Sequence, residues 1–164
     1  MGTSHETRWL DAQEQQTWRQ LSTMILRLQP VLSAQLQREF GISHFEYLIM
    51  ACLSETPGSM LRMSVLAKIT GSSLPRLSQT IGRLEKRGWV TRRPDAEDSR
   101  YTLAALTRAG VDHLQEVAPS HVESVREHVF DRLTQAQTRQ LGTICQRILD
   151  GLPPDDSWPS TTSS

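Results

Sequence analysis

The stretch that decides the fold runs from Ser64 to Thr107 and reads SVLAKITGSSLPRLSQTIGRLEKRGWVTRRPDAEDSRYTLAALT. Its pattern predicts a short helix over residues 65–70 that Ser64 caps, a tight turn at Gly71-Ser72-Ser73 and a second helix that ends at Gly88. Two short strands follow, joined by a polar loop over Pro94–Ser99. This is the order of a helix-turn-helix motif followed by a β-hairpin wing. The sequence therefore predicts a mainly α fold with a small β-wing.

The second helix of this motif has one apolar and one polar face. Its buried side is predicted to carry Leu74, Leu77, Ile81 and Leu84. The opposite side presents Pro75, Arg76, Gln79 and Arg83. The first turns of such a helix meet base edges in the DNA major groove, where Arg suits guanine and Gln suits adenine. We therefore expect Arg76 and Gln79 to read bases.

Further cations and donors flank this helix. Ser72 and Ser73 offer N–H groups and hydroxyls to a phosphate at the helix N-terminus. Arg92 and Arg93 lie on the first wing strand, and Arg100 lies just past the loop. The sequence therefore predicts contact with double-stranded DNA at two neighbouring points.

The charge distribution agrees with this prediction. The chain has 18 basic and 18 acidic residues, yet ten of the basic and four of the acidic residues lie between Arg62 and Arg108. An excess of positive charge in the middle of a neutral chain is typical of a segment that binds a polyanion. The alternative is that these arginines only solvate a helix and a hairpin.

The wing carries a family motif. Asp98-Ser99-Arg100 is followed by five residues and then Leu106-Thr107, and the segment from Arg83 to Val90 reads RLEKRGWV. On these residues the chain resembles the MarR (multiple antibiotic resistance regulator) family of bacterial winged-helix repressors, over nearly its whole length. The resemblance implies that residues 73–83 form the recognition helix. It also implies that Arg100 reaches the minor groove or backbone, oriented by Asp98, and that Gln79, where the family often has Arg, reads a different base.

Long amphipathic segments flank the motif. An N-terminal helix is predicted from Asp11, with Glu14 completing a capping box. Two C-terminal helices are predicted after Thr107 and Thr134, and the apolar stripe of the first runs through Val111, Leu114, Ala118, Val122, Val125 and Val129. Their apolar stripes exceed what a small winged-helix body can cover, which favours a homodimer over a monomeric bundle. The predicted organisation is a flexible tail at 1–10, dimerisation helices at 11–41 and 107–150, a winged helix at 42–106 and a disordered tail at 151–164.

The resemblance also implies a small-molecule effector, often an anionic aromatic compound, bound between the dimerisation helices and the winged helix. Trp18, Arg19, His44 and Tyr47 are the residues that we expect to line such a crevice. The alternative is that Trp18 and Tyr47 are ordinary core residues and that His44 is an exposed residue in a first helical turn.

Other function classes have little support in the sequence. The chain has no phosphate-binding loop, nucleophile elbow, zinc-protease motif or dinucleotide fingerprint, so we expect neither an enzyme nor a bound cofactor. His121 and His128 are about 10.5 Å apart along a helix, too far to share one metal ion. We therefore expect no metal site. The sequence also lacks an apolar run of membrane-spanning length and a secretory signal, which favours a cytoplasmic protein.

Two alternative functions stay open. Cys52 and Cys145 lie among apolar neighbours and are predicted to be buried structural thiols, but a redox-sensing regulator would use them. A winged helix can also bind protein, which would require apolar residues on the exposed face of the recognition helix. The sequence has Arg76, Gln79 and Arg83 there.

Overall fold

The computed structural model describes residues 7–152, and within them it has helices packed around a small antiparallel sheet. The α-helices are α1 (Ala12–Phe40), α2 (His44–Ser54), α3 (Met63–Ile69), α4 (Leu74–Lys86), α5 (Arg108–His128) and α6 (Gln135–Asp150). The strands are β1 (Met60–Arg62), β2 (Val90–Pro94) and β3 (Thr102–Leu106). Short 3₁₀ turns lie at Pro57–Ser59 and Phe130–Arg132. The predicted fold class is confirmed.

The sheet has the order β1-β3-β2, so that β3 is the central strand. Both pairings are antiparallel, with Met60 opposite Ala105 and Val90 opposite Leu106. Strands β2 and β3 form the predicted hairpin, and β1 adds a short third strand beside them. The hairpin is therefore held at its base by the segment that leads into α3.

Local side-chain hydrogen bonds fix where the helices begin. Reciprocal capping boxes start α1 (Asp11 with Glu14), α2 (Ser43 with Glu46) and α6 (Thr134 with Gln137), as the sequence predicts. Thr107 caps α5, and its hydroxyl also donates to the Gly88 carbonyl at 2.6 Å. The cap of α5 thus ties that helix to the end of α4.

A single apolar core holds the winged helix together. It is built from the inner faces of α2, α3, α4, β2 and β3, with Leu36 of α1 and Val117 of α5 closing two sides. The start of α5 lies so close to this body that a Cβ at Gly110 would clash with the Trp89 carbonyl oxygen. Such close packing is possible because glycine has no side chain at that position.

Two predictions about the helix-turn-helix were wrong. Leu74 is 52% exposed rather than buried, because it is the first residue of α4 and lies beyond the edge of the core. The short helix begins at Met63 with Arg62 in the N-cap position, so Ser64 lies inside it instead of capping it. The Arg62 side chain makes no capping hydrogen bond.

The buried face of α5 also differs from the prediction. The expected stripe included Val122, which is exposed, whereas Val117, His121 and Ser124 are buried. The polar residues His121 and Ser124 face inward because α5 packs there against α1 and α2. Counting only apolar positions could not find that face.

The long helices bury little within one chain. In α1 the buried residues are Leu32, Gln35 and Leu36, all in its C-terminal half, and α6 has no buried residue. Cys145 on α6 is exposed, which corrects the expectation that both thiols are buried. None of the described helices is long and apolar enough to span a membrane. Of the two predicted tails, residues 1–6 and 153–164 lie outside the described residues.

Candidate nucleic-acid interface

The N-terminus of α4 is capped by its own chain and exposed. Ser73 is its N-cap residue, with extended backbone geometry, and its hydroxyl accepts from the Arg76 N–H. Ser73, Pro75, Arg76 and Gln79 are exposed, and Ser72 is half-buried. Four of the predicted DNA-contacting residues therefore lie on the open surface of one short helix and its cap.

Two arginines on α4 are held by α2. The Arg76 guanidinium lies over the Phe45 ring, 4.7 Å from its centre. The Arg83 Nε donates to the buried Glu46 carboxylate at 3.2 Å, and its Nη2 donates to the Thr80 hydroxyl at 3.1 Å. Arg83 therefore links α4 to α2 rather than standing as a free cation.

The buried carboxylate of Glu46 is charged. Burial acts to raise its pKa, but hydrogen bonds from the Ser43 N–H and hydroxyl and from Arg83 outweigh that effect, so the pKa lies below its ordinary value. An ionised Glu46 can serve both as the capping partner of Ser43 and as the counter-ion of Arg83.

Arg92 on β2 is also committed to α4. Its Nη2 lies 2.6 Å from the Glu85 carboxylate, and its Nη1 donates to the Ser78 hydroxyl at 3.1 Å. Its backbone N–H donates to the other Glu85 oxygen at 3.0 Å. Arg92 thus joins the wing strand to the recognition helix, while its neighbour Arg93 is exposed.

The wing tip presents one well-oriented cation. Arg100 donates to Asp98 from Nε at 2.9 Å and from Nη2 at 2.6 Å, in a bidentate pair. The side chain of Arg100 is nevertheless 82% exposed. These hydrogen bonds from Arg100 lower the pKa of Asp98. The pairing of Asp98 with Arg100 is thus present, with the guanidinium open to solvent.

The loop end of the β2–β3 hairpin contains an ion pair that the sequence does not predict. The Arg62 Nε donates to Asp95 at 2.7 Å, and the Arg62 guanidinium lies 4.4 Å from the centre of the Tyr101 ring. Hydrogen bonds from the Glu97 N–H and from Arg62 lower the pKa of Asp95 against the effect of burial. Neither residue belongs to the family motif, so only the position of Asp95 just before that motif could have drawn attention to it.

Of the four residues expected to line an effector crevice, His44 and Tyr47 lie together with ring centres 6.5 Å apart, whereas Trp18 and Arg19 lie in the N-terminal half of α1. His44 lines a cavity of about 660 Å³ between α1, α2 and α4, whose other polar residues include Arg76, Gln79 and Arg83. Arg19 lines a separate cavity of about 670 Å³ along the first half of α1. Trp18 is exposed, and neither it nor Tyr47 lines either cavity.

Tyr47 belongs instead to an aromatic cluster where α2 meets α5. Its ring centre lies 4.2 Å from that of His121, and the His44 ring lies 5.4 Å from His121. Burial lowers the pKa of both imidazoles, and the neighbouring His44 lowers that of His121 further. His121 Nδ1 is buried and has no hydrogen-bond partner.

Cys52 and His113 are packed against other parts of the chain. Cys52 is buried, and burial followed by the charge of Glu55 raises its pKa, which keeps it a thiol. His113 stacks on Trp89 with ring centres 3.8 Å apart. Among residues 7–152 no group of three or more His, Cys, Asp or Glu side chains is arranged to hold a metal ion.

Comparison with known proteins agrees with this architecture. A model described as MarR family matches residues 40–100. The transcriptional repressor MprA of Escherichia coli (strain K12) is 28% identical over 112 residues, which are 68% of this chain and 63% of MprA. The chain thus spans less than two thirds of that curated relative.

Solved structures match over more of the chain. The crystal structure of Sco3205, a MarR family transcriptional regulator from Streptomyces coelicolor in complex with DNA, is 42% identical with a TM-score of 0.86, over 94% of this chain and 96% of that one. AbsC, a MarR family regulator from the same organism, is 37% identical with a TM-score of 0.81, over 88% and 97%. MarR family regulators are transcription factors and not enzymes. At this identity and coverage, the chain belongs to the MarR family of transcriptional regulators.

Proposed function

We propose that the protein is a sequence-specific regulator, acting as a repressor, that binds inverted-repeat operators in double-stranded DNA as a homodimer. The observation that carries this proposal is the exposure of Arg76 on α4 and Arg100 on the wing. Strand β2 packs on α4 through Arg92, so the wing lies beside the recognition helix. The DNA complex of Sco3205, a relative of similar length, supports the same use of this fold.

The proposal divides the exposed residues by role. Arg76 and Gln79, near the start of α4, read base edges in the major groove. Ser72, Ser73 and Pro75 surround a helix N-terminus whose N–H groups favour a phosphate. Arg93 and Arg100 on the wing contact the backbone or the adjacent minor groove. Arg83 and Arg92, which are paired with Glu46 and Glu85, hold the helix in position for these contacts.

The homodimer is supported by the apolar residues that one chain leaves open. Met24 and Ile25 on α1 and Ile144, Ile148 and Leu149 on α6 are large, apolar and exposed. Exposed apolar area of this extent is typical of a surface covered by another protein. We therefore assign residues 11–41 and 107–150 to dimerisation and residues 42–106 to DNA binding. A dimer also doubles the small number of base contacts that one α4 can make.

The cavity beside α4 suits the expected effector. Phe45 and Leu48 supply apolar walls, and Arg76 and Arg83 line the same cavity. Arg83 is already paired with Glu46, so Arg76 is the guanidinium left to pair with an anion. A small aromatic carboxylate in this cavity would pair with Arg76, which the proposal also uses for base reading. Ligand and operator would then compete for one side chain, and release of DNA would follow. His44 is the one residue of the four expected from the sequence that lines this cavity.

The proposed cellular location, the cytoplasm, follows from the proposed partner, which is DNA. A regulator of this kind works where the chromosomal DNA lies, which for a bacterial repressor is the cytoplasm. The redox alternative has weaker support at Cys52, because burial raises the pKa of that thiol, and it therefore depends on the exposed Cys145. A protein-binding role has one apolar residue in its favour, the exposed Leu74, beside an otherwise polar helix face.

Selection of bound duplexes from a random pool tests the proposal. The selected operator should be an inverted repeat with half-sites one helical turn apart, about 34–36 Å. Gln79→Ala should lose about 1–3 kcal/mol of discrimination between this operator and one altered at a single base pair. Arg100→Ala should weaken binding to operator and to random DNA alike if it contacts phosphate. Failure to enrich any sequence, or an equal loss of specificity in both variants, contradicts the proposal.

A further inference from the structure

An ion pair crosses the whole sheet at the loop end of the β2–β3 hairpin. Arg62 ends β1, and Asp95 comes directly after β2. Strands β1 and β2 are the two edges of the sheet with β3 between them, so the Arg62–Asp95 contact at 2.7 Å passes across the end of the central strand. The Tyr101 ring, just before β3, lies under the Arg62 guanidinium at 4.4 Å. All three strands therefore meet at this ion pair.

Arg62 also belongs to the helix-turn-helix. It is the N-cap residue of α3, the first helix of that motif, yet its side chain makes no capping hydrogen bond and turns to Asp95 instead. One residue thus joins the helical body to the wing loop. The ion pair therefore links the wing loop to the start of α3.

Asp95 organises the loop that carries Arg100. Its carboxylate accepts from Arg62 through one oxygen and from the Glu97 N–H through the other, at 3.0 Å. Its own N–H donates to the Tyr101 carbonyl at 3.0 Å. The Tyr101 N–H in turn donates to the Asp98 carbonyl at 3.0 Å. Two backbone hydrogen bonds therefore connect Asp95, through Tyr101, to Asp98, which is the residue that pairs with Arg100.

We propose that Arg62 and Asp95 are positioning residues that set the wing for its DNA contact while touching no base themselves. This inference rests on the proposed function, because it concerns the same DNA contact. Asp95 is 8% exposed and carries negative charge, so it cannot itself favour a polyanion. Its contribution to DNA binding must pass through the position of Arg100.

Whether Asp95→Asn weakens or strengthens operator binding separates a positioning role from a simple effect of charge. Removal of an acid from a DNA-binding surface ordinarily strengthens binding. We expect Asp95→Asn to bind operator about tenfold more weakly, because the neutral amide loses the charge-assisted bond that orders the loop. Glu97→Gln is the matched control, because it removes an exposed acid from the same loop. It should bind as tightly as wild type or up to about twofold more tightly.

A double-mutant cycle tests the route through Arg100. If Asp95 acts by placing the wing, Arg100→Ala should cost about tenfold in wild type and about twofold in Asp95→Asn, whereas Gln79→Ala should cost the same in both. Arg62→Lys keeps the positive charge and loses the planar guanidinium, so it should reproduce the weakening and the same cycle. Arg62→Lys also replaces Asp95→Asn in this test if Asp95→Asn is unfolded at the assay temperature.

The outcomes are separable. Weakening by Asp95→Asn or Arg62→Lys together with a diminished Arg100→Ala penalty supports the inference. Wild-type or tighter binding by both variants overturns it, and so does weakening that is simply additive with Arg100→Ala. If wild type binds operator and Arg100→Ala weakens that binding, the proposed function stands in either case. If wild type binds no operator, the proposed function itself fails.

Discussion

The winged-helix body buries its apolar side chains within one chain, whereas the long helices leave many of theirs exposed. In the body, Leu77, Ile81 and Leu84 of α4 are fully buried inside one chain. In α6, Leu141, Ile144 and Ile148 repeat the same three- and four-residue spacing, yet Leu141 is only half-buried and the two isoleucines remain largely exposed. The apolar pattern is alike in both helices, and only the body supplies the surface that covers it.

The comparison teaches that one chain contains two kinds of apolar stripe. Burial of each large aliphatic side chain contributes about 1.5–3 kcal/mol, so the stripe of α4 stabilises the body without any partner. The apolar side chains of α6 and of the first half of α1 are not buried within one chain and so do not yet contribute this free energy. We expect contact with a second copy of the chain to bury them. Matched substitutions in the winged-helix body and in the long helices should therefore have different effects.

The largest expected effect is on assembly. Ile148→Glu places a charge in the stripe of α6, and burial of an unpaired charge costs several kcal/mol. We expect the dimer dissociation constant to rise at least about a hundredfold, by sedimentation at several concentrations. Thr143→Glu, on the polar side of α6, is the control and should leave the dimer intact. A dimer that survives Ile148→Glu would place the interface elsewhere.

The next effect is on the stability of the body. Leu84→Ala removes a fully buried side chain, which should lower the free energy of unfolding by about 2–5 kcal/mol in urea denaturation. Lys86→Ala, in the same helix and exposed, should change it by less than about 0.5 kcal/mol. Equal effects of the two substitutions would mean that α4 does not pack as described.

The same substitution should have opposite signs in the two regions. Gly110→Ala puts a Cβ against the Trp89 carbonyl, and the displacement of α5 should cost about 3 kcal/mol. Gly142→Ala in α6 meets no atom within 4 Å in its own chain and should stabilise by about 0.5–1 kcal/mol through helix propensity. Thermal melts of both variants measure the difference. A destabilising Gly142→Ala would show that the partner packs against that position.

The smallest expected effect is a pH dependence where the two regions meet. Burial lowers the pKa of His44 and His121 in the folded chain, while the unfolded value is about 6.5. Their contribution is complete above pH 6.5 and falls below it, because the unfolded chain takes up protons first. The urea midpoint should therefore be lower at pH 5.5 than at pH 7.5. His121→Phe should reduce that difference, and a midpoint that rises on acidification would contradict the cause.

Much of the body could be predicted from the sequence because its signals are local. The capping box of Ser43 with Glu46 and the three- and four-residue spacing of Leu77, Ile81 and Leu84 involve neighbours along the chain. The wing pair of Asp98 with Arg100 is also local, and the family motif contains both residues. These features depend little on how distant elements pack.

The remainder depends on pairings between residues far apart in sequence. Arg83 looked like a free cation because its partner, Glu46, lies on another helix. Arg62 and Asp95 are separated by 33 positions and meet through the sheet order. His121 is a polar residue on a buried face, so an apolar count passes over it. Such residues become visible only when the elements are placed together.

The central claim is that one chain presents the recognition helix and the wing to one duplex as two cationic points. The salt dependence of operator affinity tests it most directly, in wild type and in Arg100→Ala. The account predicts a steep fall, about 10³–10⁵ between 50 and 200 mM salt for six to ten phosphate contacts, with a slope reduced by about one per chain in the variant. A flat titration, or one with the same slope in both proteins, would contradict it.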